Sequence, residues 1–165
     1  MSFGGYSINK ICFDHIRKIL PDGKTILELG SGYTTGELSK YYTVYSIEND
    51  IEWIHKYNST YIYAPIKFYD DDFVAPNIIN QKGWYDPNIV KGRLPKKYDL
   101  ILVDGPNGVW FGRGGFYKYL NWFSIEVPII FDDINREPER ILMKKVSNVV
   151  GRKYKILDDG ISGIV

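Results

Sequence analysis

The sequence is poor in the residues that most often carry catalysis or staple a fold: one cysteine, two histidines and two methionines in 165 residues. Cys12 has no partner for an internal disulfide, which fits a reducing, cytoplasmic setting. A small residue within a helix is its expected role. Charge of one sign is also lacking, with 21 Lys and Arg against 20 Asp and Glu and no basic run. Sequence-independent nucleic-acid binding is therefore not expected. No apolar run is long enough to span a bilayer, and residues 1–20 lack the basic start and long apolar core of a signal peptide. No membrane partner is expected. His15 and His55 fall on expected helices and make poor general bases, so proton chemistry is left to carboxylates.

Aromatic residues are plentiful, with 14 Tyr and 4 Trp. They can fill a core or offer a stacking surface to a flat or sugar-like ligand. The length suits one domain, residues 1–165, with a sizeable core.

The chain is organised around residues 25–35, TILELGSGYTT. An apolar strand carrying a single carboxylate, Glu28, breaks at Gly30-Ser31-Gly32 and resumes as a helix. A glycine turn there allows close backbone approach by a ligand, and a helix start offers unpaired N–H groups to an anion. Before it, Ser7 is expected to cap a helix over residues 8–20, with Ile8, Ile11, Ile16 and Ile19 near one face. After it come a short helix over 35–42, a strand over 43–49 and a helix over 51–57 capped by Asp50. A third strand is expected over 60–65.

Residues 66–97 show only weak helical periodicity and are expected to be irregular and functional. Strands return at 98–105 and 127–133. Between them lie the glycine-rich loop 106–115 and a helix over 116–123. A last helix over 138–150 starts with Pro138 in its first turn and stops at Gly151. Residues 153–157 and 161–165 form a hairpin around Asp158-Asp159-Gly160. Strands alternating with helices imply an α/β fold: a seven-stranded, mostly parallel sheet covered on both faces, with a terminal antiparallel hairpin.

In such sheets ligands bind beyond the carboxyl ends of the strands. Four expected strands bring acids to that edge: Glu28, Glu48, Asp104 and the pair Asp132-Asp133. A strand-end acid often only caps the next helix, but four converging on one rim read as a site.

The stretch ILELGSG resembles motif I of the class I S-adenosylmethionine (SAM)-dependent methyltransferases, and the strand–helix layout from residue 24 onward is similar to that family's. The resemblance implies SAM as cofactor, with Gly30, Ser31, Gly32 and Thr35 at its methionine part and Glu28 as a structural or amine contact. It implies Glu48, beside Asn49, on the ribose hydroxyls, since a carboxylate has acceptor oxygens for a cis-diol. Ala64 and the run Asp70–Asp72, Asp71 in particular, fall where the family holds adenine. VDGP at Asp104, itself close to the cofactor, resembles motif IV, and IIFDD resembles the end of the next strand. In catechol-type and macrolide-sugar relatives, acids at these places bind a divalent metal, which implies Mg²⁺ or Mn²⁺ on Asp104, Asp132 and Asp133.

Methyl transfer from a sulfonium needs positioning and deprotonation of the acceptor more than covalent help. Asp104 is the first choice of base, with Asp133 and Asp86 behind it. Trp84, Tyr85, Trp110, Phe111 and Arg113 lie in the two irregular segments and are expected around the acceptor. A ring can stack on a sugar or aryl face, and Arg113 can hold an anionic group. The expected function is methyl transfer to a hydroxyl of a small molecule, a saccharide or glycan first. The alternatives are a metal-free methyltransferase acting on another metabolite and a non-catalytic nucleotide-binding domain of the same fold.

Overall fold

A computed structural model describes residues 7–165. Helix α1 (Lys10–Ile19) is capped by Asn9, whose side chain accepts from the Cys12 amide at 3.0 Å, so the cap lies two residues beyond the expected Ser7. Its buried face is Cys12, Phe13 and Ile16, joined by the flanking Ile8 and Leu20. Ile11 and Ile19, expected on that face, are 45% and 36% exposed. The spacing 12, 13, 16, 20 follows one helical stripe, and positions 11 and 19 fall outside it.

Strands β1 (Thr25–Leu29), β2 (Thr43–Glu48) and β3 (Thr60–Tyr63) run parallel, with helix α2 (Tyr33–Leu38) between the first two. Only a 3-10 turn, Ile51–Trp53, stands where a helix over 51–57 was expected, and Asp50 caps it as anticipated. The segment 66–97 is more regular than its composition implies. It holds β4 (Ile66–Phe68) and β5 (Gly83–Tyr85), paired as a separate antiparallel ribbon, and helix α3 (Pro87–Arg93). Strands of three residues and a helix that buries only Pro87 and Val90 leave too little periodicity to read.

The chain then returns to the main sheet with β6 (Leu100–Val103). Next come the short helix α4 (Gly115–Lys118), strand β7 (Ile129–Phe131) and the long helix α5 (Glu137–Val150). Helix α5 ends on Gly151 at φ 69°, the left-handed stop that glycine permits. The closing hairpin, β8 (Lys155–Ile156) and β9 (Gly163–Ile164), adds two antiparallel strands, giving the order β3-β2-β1-β6-β7-β9-β8.

The sheet is covered on both faces, as its near-continuous apolar strands require. Ile26, Val44, Leu100, Leu102 and Ile130 pack with Ile8, Cys12 and Ile16 on one face. Leu27, Leu29, Ile47, Ile101, Val103 and Phe131 pack on the other with Val90, Phe116, Leu142 and Met143. The fold is thus the Rossmann-like α/β sheet expected from the strand–helix alternation. Among the described residues no helix is long and apolar enough to cross a membrane.

Trp84 and Tyr85, expected at the acceptor, are instead fully buried in the second of these cores. The β4–β5 ribbon folds inward, and Trp84 lies against Gly115, where any side chain would collide with the indole. Its ring stands 5.6 Å from that of Tyr119. Trp84→Ala should therefore act first on stability, lowering it by about 3–5 kcal/mol in urea unfolding. A loss below about 1 kcal/mol would show that the indole is not part of the core.

Candidate functional site

The sheet order reverses between β1 and β6, and ligands of open α/β sheets bind at such a switch point. A cleft of about 350 Å³ opens there, within the ~300–1,000 Å³ usual for small-molecule sites. Its wall includes Gly30 and Ser31 after β1, Glu48 at the end of β2, Asp104 after β6 and Asp132-Asp133 after β7.

The glycine turn has a structural reason to be glycine. Gly30 sits at φ 100°, and a side chain on Gly105 would come within 2.7 Å of the Gly30 Cα, so the loops after β1 and β6 touch backbone to backbone. Gly30 N–H donates to the Ile47 carbonyl at 2.8 Å and Gly32 N–H to Thr35 Oγ1 at 3.0 Å. The two glycine amides of the turn are thus taken up by the protein's own acceptors.

Glu28 and Thr35 lie beneath this turn, 1% and 0% exposed, and not in the cleft wall. Thr35 Oγ1 and Ser46 Oγ donate to Glu28 Oε2 at 2.7 and 2.8 Å. Burial pushes the Glu28 carboxyl up to about 7, against the lowering effect of those two hydrogen bonds.

Glu48 does face the cleft, with Asn49 and Asp50 beside it. Its Oε1 accepts the amides of Asn49 at 2.6 Å and Asp50 at 2.8 Å. Burial raises its pKa, and the hydrogen bonds from the backbone at Asp50, Asn49 and Ser31 oppose the shift. Ala64 is buried in the core behind, its N–H on the Glu48 carbonyl at 2.9 Å. Asp71 is exposed and outside the cleft wall; its neighbour Asp70 closes a local turn by accepting the Asp72 and Phe73 amides. Asp86 is likewise elsewhere, as the N-cap of α3 on the Asn88 amide at 2.9 Å.

At the other end of the cleft, Asp104, Asp132 and Asp133 place one oxygen each within 4.8 Å of one another. Strands β6 and β7 are parallel neighbours, which is what brings these acids together. Asp133 adopts φ 61°, a left-handed conformation uncommon outside glycine and better tolerated by Asp and Asn than by most residues. Arg113, 4% exposed, is set among the three acids. Its Nη2 donates to Asp104 Oδ1 at 3.3 Å and Asp133 Oδ2 at 2.8 Å. Arg113 is thus occupied by the protein's own acids, where an anionic group of the acceptor was expected. Asp132 Oδ1 accepts from Ser162 Oγ at 3.0 Å. Burial and the charge of Asp133 push Asp132 up to about 6, while Arg113 and Ser162 pull it down. Asp104 rises well above the carboxylate range through burial, opposed by Arg113 and reinforced by Asp132 and Asp133.

The cleft wall also holds groups that the sequence reading did not place in a site, Asn107 and Trp53 among them. Arg136, also in the wall, donates from Nη2 to Asp133 Oδ2 at 2.6 Å. Asn107 Oδ1 accepts the amides of Val109 and Trp110, so the glycine-rich loop is tied to itself. That loop presents Trp110 at the cleft, 64% exposed. The Asn-Gly-x-Trp spacing was a turn signal that could have identified Asn107.

Glu28 supplies a prediction. Its proton is held more tightly in the folded state, so its stabilising contribution is full below about pH 4.5 and is lost as pH rises through about 7. Glu28→Gln keeps an acceptor for Thr35 and Ser46 and removes the titration. Between about pH 5 and about pH 8, the wild type should lose up to ~3 kcal/mol more stability than the variant in urea unfolding. Equal losses would show that Glu28 does not titrate in this window. No protein-family model matches the chain, and no curated protein does.

Proposed function

We propose that the chain is a methyltransferase that binds SAM in the switch-point cleft and methylates a hydroxyl of a small molecule, a saccharide first. The observation that carries this reading is the glycine turn. The Gly30 amide is engaged by Ile47 and the Gly32 amide by Thr35, so neither glycine offers its N–H to a phosphate. A dinucleotide would need such donors, whereas an adenosyl ligand without phosphates does not. Charge points the same way. The cleft wall holds five carboxyl groups, Glu48, Asp50, Asp104, Asp132 and Asp133, against Arg113 and Arg136. Such a wall favours a cationic ligand.

The residues fit the group. Glu48 has acceptor capacity beyond its backbone partners for the ribose hydroxyls, because an ionised carboxylate has about four lone-pair sites. Ser31 and Asn49 flank that position in the cleft wall. When bound, SAM supplies a methyl group already activated on a sulfonium. The protein then has to orient the acceptor and take its proton. Asp104 is the group for the proton: it stands after β6 in the cleft wall, with Arg113 on its Oδ1 to hold it in place. Asp133, on the same guanidinium, holds Arg113 in place beside it. The three acids have the oxygen chemistry of a Mg²⁺ or Mn²⁺ site, but Arg113 already bridges two of them, so the proton chemistry rests on Asp104. Trp110, exposed at the cleft beside Asn107, is the ring for the acceptor's sugar or aryl face.

A screen of labelled methyl transfer from SAM over sugars, phenols and nucleotides tests the reading, with product expected on a hydroxylated, phosphate-free acceptor. Two variants should then separate cofactor from acceptor. Glu48→Gln should weaken SAM binding by about 1–3 kcal/mol in calorimetry. Trp110→Ala should raise the acceptor KM and leave SAM affinity near wild type. Unchanged SAM affinity in Glu48→Gln would remove Glu48 from the cofactor site, and lost SAM affinity in Trp110→Ala would move that ring from acceptor to cofactor.

A further inference from the structure

Three carboxylates at the ends of adjacent parallel strands are an arrangement suited to an oxygen-ligated divalent cation. Here a side chain is already set among them. Arg113 is 4% exposed and anchored at both ends of its guanidinium. Nε donates to the Pro106 carbonyl at 3.2 Å and Nη1 to the Asp132 carbonyl at 3.0 Å. Nη2 divides itself between Asp104 Oδ1 at 3.3 Å and Asp133 Oδ2 at 2.8 Å. The same Asp133 oxygen receives a second guanidinium, Arg136, at 2.6 Å. Asp132, the third acid, has Oδ1 turned to Ser162 at 3.0 Å.

We infer that Arg113 is the resident cation of the acid trio, standing where a divalent metal would otherwise be held, and that the wild-type protein has no high-affinity divalent site there. A planar guanidinium suits two carboxylates and two carbonyls better than a point charge does, and it keeps its proton at any working pH. Mg²⁺ would need near-octahedral oxygens at about 2.0–2.1 Å. To supply them, Asp104 and Asp133 would have to release Arg113. That would leave a buried guanidinium without its carboxylate partners beside a doubly charged ion, the costly way to break a buried pair. Ser162 would also have to release Asp132, or Asp132 would have to bind through its other oxygen. A positioning role follows: Arg113 fixes Asp104 and Asp133 permanently, whereas a metal would do so only when loaded. The inference does not depend on which ligand fills the cleft, so it can fail without the methyltransferase reading failing.

The test is a Mn²⁺ titration of metal-free protein, with free Mn²⁺ read by electron paramagnetic resonance. Wild type should show no saturable site tighter than ~1 mM, the weak end of protein sites for hard cations. Arg113→Gln should gain a site at least ~10-fold tighter, about 1.4 kcal/mol, and Asp132→Asn in that background should abolish it. Stoichiometric binding by wild type that Asp132→Asn removes would overturn the inference. So would a folded Arg113→Gln that gains no site. If the single variant does not fold, Arg113→Gln combined with Asp133→Asn relieves the uncompensated charge. That pair must bind Mn²⁺ at least ~10-fold more tightly than Asp133→Asn alone, and equal binding would overturn the inference as well.

Discussion

Acidic groups gathered at the carboxyl ends of a parallel sheet must have their charge compensated, and the rest of the site follows from how this is done. A carboxylate leaving water for a covered rim is costly unless it is protonated, hydrogen-bonded or paired. The structure uses all three solutions along one edge. Glu28, under β1, has a carboxyl raised to about 7 and accepts two hydroxyls. Glu48, at the end of β2, gathers the backbone amides of Asn49 and Asp50. Asp104 and Asp133 share Arg113. Each solution also fixes a neighbouring segment: the first turn of α2 at Thr35, the chain after β2 at Asn49 and Asp50, and the loop that carries Trp110.

These local settlements shape the cleft's chemistry. Donating the Gly30 amide to the Ile47 carbonyl removes a phosphate ligand from the turn and ties it to β2. Spending Arg113 on the protein's own acids removes the natural anchor for an anionic acceptor. The remaining wall is acid-rich, with one exposed indole. A cationic, phosphate-free adenosyl ligand and an uncharged hydroxylated acceptor are the pair we propose for it.

Much of this was legible in the chain. The apolar runs ending in Glu48, Asp104 and Asp132-Asp133 fixed both the parallel sheet and the rim, because a strand buried on both faces shows as an unbroken apolar run with its polar residue at the exit. The glycines at 30 and 105 were visible as a turn and a loop. Their contact with each other was not, since it depends on which strands become neighbours. The β4–β5 ribbon was invisible because three-residue strands carry no period, and so Trp84 and Tyr85 were read as cleft residues when they fill the core. Arg113 was noticed for its charge. Its partners lie 9 and 20 residues away along the chain, and only the pairing of β6 with β7 brings them to it.

The central claim is that the cleft takes an adenosyl cation and not a nucleotide phosphate. Titration calorimetry of the wild-type protein with SAM, and with ADP and NAD⁺ in the same buffer, tests it most directly. The account predicts saturable binding of SAM and none of the two phosphate-bearing ligands at matched concentration. Binding of ADP or NAD⁺ with no binding of SAM would contradict it, and would mean that the turn releases its amides to a phosphate after all.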